Sequence, residues 1–436
     1  MFKEWWGQDK CPNLLHARSI LERAGGLENQ ILEGKGPLDR AVALHQKSLD
    51  GRMGSSDRAV LGLAVYGFAR NREVIRRALP EAAAGEGRLL ALSLLDSIAN
   101  PPMERFQEFQ FPLARLSDLR AEALAVLEKH LADPLDEAPA EAVNAFTLYF
   151  SLPGYLLAEG PWRTLGEAAL ELDAGKFPQK PQVRVDLRRG DREGVLASLA
   201  SRGVKTAKTA YSPWGLVLEG RLGPAGFSGL PVEFQDEGSQ IGALACLPLK
   251  KGAKVLDLCA GSGGKALALA GAADCRLFLH DVDERRLSRA LPRFGKGRDT
   301  NVALLPDPAR MAPYDVVLVD APCSSTGTLR RNPDIPWRWD EDKLHEFAAL
   351  QTRLLQEAAS LVAEGGLLVY LTCSLLDLEN NRVIEDFLKD GRFSPEAPPL
   401  EPFHEIPESQ NGYFRLPLDL TGYHGDGFFC ARLRRV

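Results

Sequence analysis

The chain has 436 residues and a formal net charge of −6, with 45% hydrophobic and 26% charged residues. This length predicts two or three domains, and the composition is typical of soluble globular proteins. No run of about 18 apolar residues is present, which excludes a membrane-spanning helix. Residues 1–6 lack the basic and then apolar order of a secretory signal. We therefore expect a cytoplasmic protein with no membrane partner.

The residues before about 132 predict helices and no strands, because apolar side chains recur there at helical spacing. The turn-rich segment 133–139 predicts a domain boundary. Alternation over 183–187 predicts a strand, and 191–199 returns to helical periodicity, which together predict a small α+β subdomain. We therefore expect three domains, at 1–138, 143–230 and 231–436.

Charge is unevenly distributed along the chain. A negative balance tells against a nucleic-acid binder, yet between Lys180 and Leu222 nine Lys and Arg residues outnumber four Asp and Glu residues. Such a segment can contact phosphates, and a solvated face would have the same composition. Both interpretations stay open at this point.

From about residue 251, short apolar strands alternate with helices, as in a parallel sheet covered on both faces. A long helix is predicted at 343–362, and a closing strand at 427–433. The other predicted strands are 254–258, 276–280, 301–305, 315–319 and 367–371. This pattern predicts an α/β, Rossmann-like doubly wound domain.

A glycine-rich loop follows the first of these strands. It is Cys259-Ala260-Gly261-Ser262-Gly263-Gly264-Lys265, and its glycines allow a sharp turn and a close backbone approach to a ligand at a helix N-terminus. The second strand is followed by Asp281, where a ribose diol would bind, although acids at strand ends are often helix caps, a role open to Asp283. Loop and acid together indicate a nucleoside-containing ligand. The glycine spacing does not fit GxGxxG, which disfavours NAD and FAD and leaves S-adenosylmethionine.

Seven cysteines stand at 11, 246, 259, 275, 323, 373 and 430. They form no CxxC pair, and an odd, scattered set argues against a disulfide framework or a zinc cluster, so we expect no metal. Cys323 and Cys373 each follow a predicted strand, at the carboxyl ends where open parallel sheets bind ligands. A single cysteine is more often a buried apolar residue. Two cysteines at corresponding strand ends, each in a polar loop, indicate thiolate chemistry.

These motifs resemble those of the RsmB-type RNA (cytosine-5) methyltransferases, which are related to the NSUN group. The resemblance rests on the following segments: LDLCAGSGGK, DAPCSSTGTLRRNPDIPW, TCS followed by Glu379-Asn380-Asn381, and GDGFF at 425–429. Residues 234–240 are similar to the family's segment before the first strand of the catalytic domain, and residues 151–157 and 183–185 are similar to its RNA-binding subdomain. The helical N-terminus is similar to a NusB-like domain, with Ser56-Asp57-Arg58 and Tyr66-Gly67 as landmarks. The resemblance covers nearly the whole chain.

The resemblance implies a reaction in which Cys373 attacks carbon 6 of cytosine and Cys323 assists release of the methylated product. A thiolate at carbon 6 turns the ring into an enamine that accepts a methyl group at carbon 5. Asp320 would contact the cytosine near N3 and its amine, and Lys265 would orient cofactor or base. Arg330 and Arg331 would contact substrate phosphate or anchor their loop.

The resemblance also implies the cofactor residues for S-adenosylmethionine. They are the loop Cys259, Ala260, Gly261, Ser262, Gly263, Gly264 and Lys265, with Asp281 for the ribose, Asp307 near the adenine and Asp320 near the methionine end. The family's Pro-Gly-Gly-Lys-Thr is here Ser-Gly-Gly-Lys-Ala at 262–266, which removes a hydroxyl at the helix start.

Three functions remain possible after these observations. The leading hypothesis is methylation of small-subunit ribosomal RNA by a monomer, because the helical N-terminus resembles that of ribosomal-RNA enzymes. The second substitutes transfer RNA as substrate. The third is a ribosome-assembly factor that binds RNA without catalysis, against which the intact Cys323, Cys373, Asp320 and Lys265 argue.

Overall fold

The computed structural model describes residues 37–48, 55–79, 88–96, 107–177, 179–219, 224–294, 301–399 and 401–436, with six single positions between 20 and 33. Cys11 and residues 1–6 lie outside this part of the chain. The chain divides into two compact units. One comprises Met1–Pro178 with Thr328–Glu341, and the other comprises Gln179–Gly327 with Asp342–Val436.

The first unit is built from helices. In its described part they are α1 (Leu38–Ser48), α2 (Ser55–Arg70), α3 (Arg72–Ala78), α4 (Arg88–Asp96), α5 (Gln110–His130), α6 (Ala140–Phe150), α7 (Tyr155–Glu159) and α8 (Leu165–Gly175). In α5 the buried side chains of Leu116, Leu119, Ala123 and Leu127 recur every three or four residues, so one face is apolar. No strand occurs among the described residues up to 132, which confirms the helical prediction there.

The segment 133–139 is a compact turn within this unit. The backbone N–H of Leu135 donates to the carbonyl of Arg163 (2.9 Å), and that of Leu165 donates to the carbonyl of Asp133 (3.3 Å). Proline and acidic residues suit a tight turn as well as a linker. The division between the two units falls after Pro178, and the three-domain division stays a prediction.

Residues 328–341 pack within the helical unit. Tyr155 Oη donates to the carbonyl of Pro336 (2.6 Å) and Trp337 Nε1 to that of Ser151 (3.2 Å). Arg330 is only 7% exposed, and its Nε donates to the carbonyl of Ala174 (3.3 Å). Arg330 therefore anchors this segment.

The second unit begins with a small antiparallel sheet. Its strands are β1 (Gln182–Val185), β2 (Lys205–Lys208), β3 (Gly215–Glu219) and β4 (Val232–Phe234), in the order β2-β3-β1-β4. Helix α9 (Arg192–Ser201) begins at Asp191, whose carboxylate accepts from the N–H of Gly194 (2.8 Å), a cap worth about 1 kcal/mol. Apolar residues of α9 and the sheet, including Val183, Val185 and Leu199, form one buried cluster.

The larger sheet of this unit has eight strands. They are β5 (Ala253–Asp257), β6 (Cys275–Leu279), β7 (Val302–Leu304), β8 (Tyr314–Asp320), β9 (Val362–Thr372), β10 (Phe393–Pro395), β11 (Tyr413–Leu416) and β12 (Phe428–Arg435). The order is β10-β12-β9-β8-β5-β6-β7, with β11 also paired to β12. Strands β7, β6, β5, β8 and β9 run parallel, and β12 lies antiparallel beside β9. The Rossmann-like prediction is confirmed.

Helices cover this sheet. They are α10 (Glu237–Leu244), α11 (Gly264–Ala272), α12 (Glu284–Leu287), α13 (Leu291–Phe294), α14 (Glu341–Leu361), α15 (Asn381–Leu388) and α16 (Glu401–His404). Successive strand residues face opposite sides. Val316 and Leu318 therefore belong to one buried cluster, and Val317 and Val319 to the other.

The sheet places the carboxyl ends of β5 and β8 side by side. The chain leaves β5 towards β6 and β7 on one side, and returns to pair β8 with the other side of β5. Open α/β sheets bind ligands at such a reversal of strand order. In the described part of the chain, no helix is both long and apolar enough to cross a membrane.

Candidate active site

The loop after β5 is shaped by two glycines. Gly261 (φ +54°) and Gly263 (φ +76°) lie in the left-handed region, which side chains other than glycine rarely adopt. A Cβ on Gly263 would lie 3.0 Å from that of Ala290. The loop thus turns sharply into α11 and brings its backbone to the sheet edge, as predicted.

Asp281 holds this loop from the neighbouring strand. Its Oδ2 accepts from the N–H of Gly261 (2.7 Å), and its Oδ1 accepts from the N–H of Asp283 (2.8 Å). Asp283 in turn caps α12, since its carboxylate accepts from the N–H groups of Arg285 and Arg286. The helix-cap role therefore belongs to Asp283, and Asp281 stands at the loop with one further lone pair on each oxygen.

Asp257, the last residue of β5, is a site residue that the sequence reasoning did not single out. It is 2% exposed, and its Oδ1 has no hydrogen-bond partner among the described residues. Burial, with the Asp320 carboxylate nearby, raises the pKa of Asp257 to about 7. Its position just before the glycine loop was a signal that could have found it.

Lys265 and Asp320 form an ion pair across the β5–β8 edge. Lys265 Nζ lies 2.6 Å from Asp320 Oδ2, with side-chain exposures of 8% and 36%. Burial disfavours the ammonium, but the Asp320 carboxylate outweighs burial, and the pKa of Lys265 is raised. The ammonium also lies 5.5 Å from the ring centroid of Phe428. A fixed positive charge thus stands beside a half-exposed carboxylate.

Cys323 and Cys373 face each other at the neighbouring β8–β9 edge. Their Sγ atoms are 3.5 Å apart, both residues are half-buried, and both are free thiols. The hydrogen bond from Cys323 lowers the pKa of Cys373, with a further contribution from Ser325, against the opposing effect of burial. The same hydrogen bond, together with burial, raises the pKa of Cys323. Of the two thiols, Cys373 is therefore the one whose surroundings favour the thiolate.

The other described cysteines lie in apolar surroundings. Burial raises the pKa of Cys246, Cys259 and Cys430, and that of Cys275 to about 11. Thiols with raised pKa values are poor nucleophiles at neutral pH. Among the described cysteines, Cys373 alone has a lowered pKa.

Asp307 follows β7, and its structural setting is that of a cap. Its carboxylate accepts from the N–H of Ala309 (3.0 Å) and lies 3.7 Å from Arg310, with 54% of the side chain exposed. Among the described residues, no hydrogen bond or ion pair of the Asp307 side chain reaches the glycine loop or the two cysteines. Its predicted role at an adenine edge stays a prediction.

The two departures from the family motif fall in different surroundings. Both the carbonyl and the hydroxyl of Ser262 accept from Arg293 Nη1 (2.7 and 3.2 Å), and Arg293 also pairs with Glu233 (2.9 Å). Ala266 is fully buried in the apolar cluster beneath the loop. The absent threonine hydroxyl therefore belongs to a position that is now apolar core.

Several basic side chains of the segment Lys180–Leu222 form contacts within the protein. Arg184 is 1% exposed, Arg188 pairs with Asp186 (2.9 Å), and Lys208 pairs with Glu193 (2.6 Å). Other basic side chains of the segment remain exposed, namely those of Lys180, Arg189 and Lys205. A phosphate-contacting surface there stays a prediction.

Comparison with known proteins relates the chain to one family. A family model described as 16S rRNA methyltransferase RsmB/F matches residues 244–434. Ribosomal RNA small subunit methyltransferase B of Pasteurella multocida is 34% identical over 272 residues, which is 58% of each chain. That of Citrobacter koseri is 33% identical over 302 residues, which is 65% of this chain and 66% of the relative. Over residues 244–434, the chain matches the RsmB/F family.

A solved structure extends the similarity of this chain beyond the residues that the family model matches. The crystal structure of PH0851 covers 98% of this chain and 99% of its own, with a TM-score of 0.68 and 25% identity. The sequence matches to the curated relatives span 58–66% of their lengths. The fold is therefore shared over nearly the whole chain, whereas the family model matches residues 244–434, which include most of the larger sheet.

Proposed function

We propose that the chain transfers a methyl group from S-adenosylmethionine to carbon 5 of a cytosine in RNA, with small-subunit ribosomal RNA as the substrate. The observation that carries this proposal is the pair of thiols 3.5 Å apart, Cys323 and Cys373, at the sheet edge that also holds the Lys265–Asp320 ion pair. The match to the RsmB/F family and the names of the curated relatives support the choice of substrate.

The residues after β5 fit S-adenosylmethionine. The glycine loop leaves backbone N–H groups at the start of α11, and the unpartnered Oδ1 of Asp257 can accept from a ligand amine or hydroxyl. We assign the loop from Cys259 to Lys265, with Asp281, Asp307 and Asp320, to cofactor binding. When bound, the cofactor supplies a methyl group on a positively charged sulfur.

Cys373 starts the reaction. Its thiolate forms a bond to carbon 6 of the cytosine, and the electron pair of the 5,6 double bond moves so that carbon 5 becomes nucleophilic. Carbon 5 then takes the methyl group, and a covalent bond between Cys373 and the methylated base remains. A base stacked within an RNA helix cannot be reached in this way, so the target must be unstacked.

Asp320 and Lys265 prepare the base for attack. Lys265 contacts Oδ2 of Asp320 (2.6 Å), which directs Oδ1 to accept a hydrogen bond from the exocyclic amine of cytosine. This bond fixes the ring so that carbon 6 faces Cys373. A preorganised pair of charges requires little rearrangement as charge develops in the ring.

Cys323 completes the reaction by releasing the product. Loss of the proton from carbon 5 restores the double bond and expels the Cys373 thiolate from carbon 6. Water takes up the proton from carbon 5, and the electron pair of the bond between carbon 6 and sulfur leaves with Cys373. Cys323, 3.5 Å from the attacking sulfur, assists this step by donating a hydrogen bond to the departing thiolate. The two cysteines thus have different tasks, and the difference matches the opposite directions of their pKa shifts.

Methyl transfer to defined RNAs tests the proposal. The protein is incubated with labelled S-adenosylmethionine and unmodified small-subunit ribosomal RNA or bulk transfer RNA. We expect label in 5-methylcytosine of the ribosomal RNA. Label in transfer RNA alone would assign that substrate instead, and RNA binding without label would assign a non-catalytic assembly factor. Bisulfite sequencing of ribosomal RNA from a deletion strain identifies the nucleotide. A monomeric state and a cytoplasmic location stay predictions.

A further inference from the structure

Glu379 is a fully buried carboxylate between the two cysteine loops. It ends the 3-10 turn Asp377–Glu379 that follows β9. Its oxygens accept from the N–H of Ser324 (2.8 Å), from Gln351 Nε2 (2.9 Å) and from the hydroxyls of Ser324 and Ser374. All of these groups are donors, which is the set that a buried carboxylate requires.

The donors flank the two cysteines. Ser324 follows Cys323 and Ser374 follows Cys373 in the sequence. Gln351, from α14, also donates to the carbonyl of Pro322 (2.9 Å), which precedes Cys323. One carboxylate therefore fixes the backbone on both sides of the thiol pair.

Other bonds close the same two loops without Glu379. Thr326 Oγ1 accepts from the N–H of Leu375 (2.9 Å), and the N–H of Gly327 donates to the carbonyl of Cys373 (2.9 Å). These bonds would keep the loops together if the carboxylate were changed to an amide. The two cysteine loops can therefore fold without the negative charge of Glu379, and the effect of that charge can be tested on its own.

Glu379 makes more hydrogen bonds to the loop of Cys323 than to that of Cys373, since two of them come from Ser324 and one comes from Ser374. After the hydrogen bond to Cys373 and burial, the Glu379 carboxylate is a further cause of the raised pKa of Cys323. A thiol that keeps its proton can donate it to the neighbouring sulfur. The other titratable groups around the pair are Asp320, Asp426, Lys265, Tyr370 and Cys259.

We propose that Glu379 is a positioning residue that assigns the proton within the cysteine pair. It holds both loops so that Cys323 donates to Cys373, and its charge keeps the proton on Cys323. Cys373 is thereby left as the nucleophile. This inference deepens the proposed function and rests on it for the roles of the two sulfurs.

The test measures the two thiols in the full-length protein without RNA or cofactor. The rate of alkylation by iodoacetamide is followed from pH 5 to pH 10, and the peptides of Cys323 and Cys373 are quantified separately by mass spectrometry. Glu379→Gln is compared with Glu385→Gln, which changes an exposed glutamate on α15. Circular dichroism and a melting curve establish that each variant is folded.

We expect the two pH profiles to converge in Glu379→Gln. Alkylation of Cys373 at pH 7 should fall by roughly threefold, the change that half a pH unit makes in a thiolate fraction, while that of Cys323 rises. The Glu385→Gln variant should match the wild type. Unchanged profiles in Glu379→Gln, or equal shifts of both in one direction, would overturn the proposal.

A second variant keeps the measurement decisive if Glu379→Gln does not fold. Ser374→Ala removes the hydrogen bond from the Ser374 hydroxyl to Glu379 and retains the carboxylate. The alkylation profile of Cys373 should therefore move to higher pH, while that of Cys323 stays in place. A Cys373 profile identical to that of the wild type would contradict the proposal that Glu379 positions the two cysteine loops. Absence of methyl transfer by the wild type to any RNA would count against the proposed function, and the thiol profiles do not depend on that result.

Discussion

The two halves of the sheet edge are constructed in different ways. On the β5–β6 side, the protein presents backbone: the glycine loop turns at positive φ, and Asp281 holds it through the N–H of Gly261. On the β8–β9 side, buried side chains hold the site together, since Glu379 joins the loops that carry Cys323 and Cys373.

This difference matches the tasks proposed for each half. A nucleoside that only has to be bound can be recognised by backbone groups and a few carboxylates. A thiol pair that has to share one proton requires side chains held at a fixed separation. Single substitutions on the β8–β9 side should therefore mainly reduce the rate of methyl transfer. Single substitutions on the β5–β6 side should mainly reduce cofactor binding and the stability of the fold.

The largest expected effect is that of Cys373→Ala. Turnover should fall by at least about 10³-fold, because the attacking thiolate is lost. Incorporation of labelled methyl groups into RNA measures this. The matched control is Cys275→Ala, at the first residue of β6 and thus at the opposite end of the strands, which should remain within about twofold of wild type. Comparable activity in both variants would contradict the assignment.

Cys323→Ala should have a smaller effect on the first step and a large effect on release. We expect a stalled covalent complex with RNA, visible as a slowly migrating band that resists denaturant. Multiple-turnover rates should fall by roughly 10²-fold, whereas a single round of methyl transfer proceeds. A band formed by Cys373→Ala and not by Cys323→Ala would reverse the roles.

Lys265→Met tests the connection between the two halves. The variant retains the length of the side chain but leaves the Asp320 carboxylate without its cation, next to the buried Asp257. We expect a loss of about 1–3 kcal/mol in the free energy of unfolding and roughly a tenfold weaker cofactor affinity, measured by urea titration and calorimetry. Lys251→Met, an exposed lysine beside Asp274, is the control. Equal stability of both variants would refute the pairing.

Asp257 gives the smallest effect, seen in the pH dependence of stability. Burial raises the pKa of Asp257 to about 7 from an ordinary value of 3.8, so the folded state binds the proton more tightly than the unfolded chain. The contribution of Asp257 to the free energy of unfolding is fully present below about pH 4 and is lost as the pH rises towards 7. Asp257→Asn should therefore raise the free energy of unfolding relative to wild type, and this gain should be larger at pH 8 than at pH 5 by at least about 1 kcal/mol. The exposed Asp274→Asn variant should show no such difference in urea unfolding.

Much of this arrangement could be predicted from the sequence. Residues 316–319 are branched and apolar and are bounded by Asp315 and Asp320. They predict a strand at 315–319, and β8 is observed at Tyr314–Asp320. Both cysteines were expected at strand ends, where they lie. The predictable features are those that depend on neighbours in the sequence.

The less predictable features depend on partners that are distant in the sequence. Strand β9 begins at Val362, five residues before the predicted start at 367, because Val362 pairs with Tyr314 before an irregularity that contains Gly365. The bond between Ser324 and Glu379 joins positions 55 apart. Sequence identified Glu379 only as part of a motif, and its contacts come from the fold.

The most direct measurement is to trap the covalent intermediate. RNA that carries 5-fluorocytosine at the target position accepts the thiolate and the methyl group, but carbon 5 then has no proton to lose, so the protein stays attached. Digestion and mass spectrometry locate the modified residue. We expect a methylated fluorocytosine on the peptide of Cys373. Attachment at Cys323, or no attachment with RNA and cofactor both bound, would contradict it.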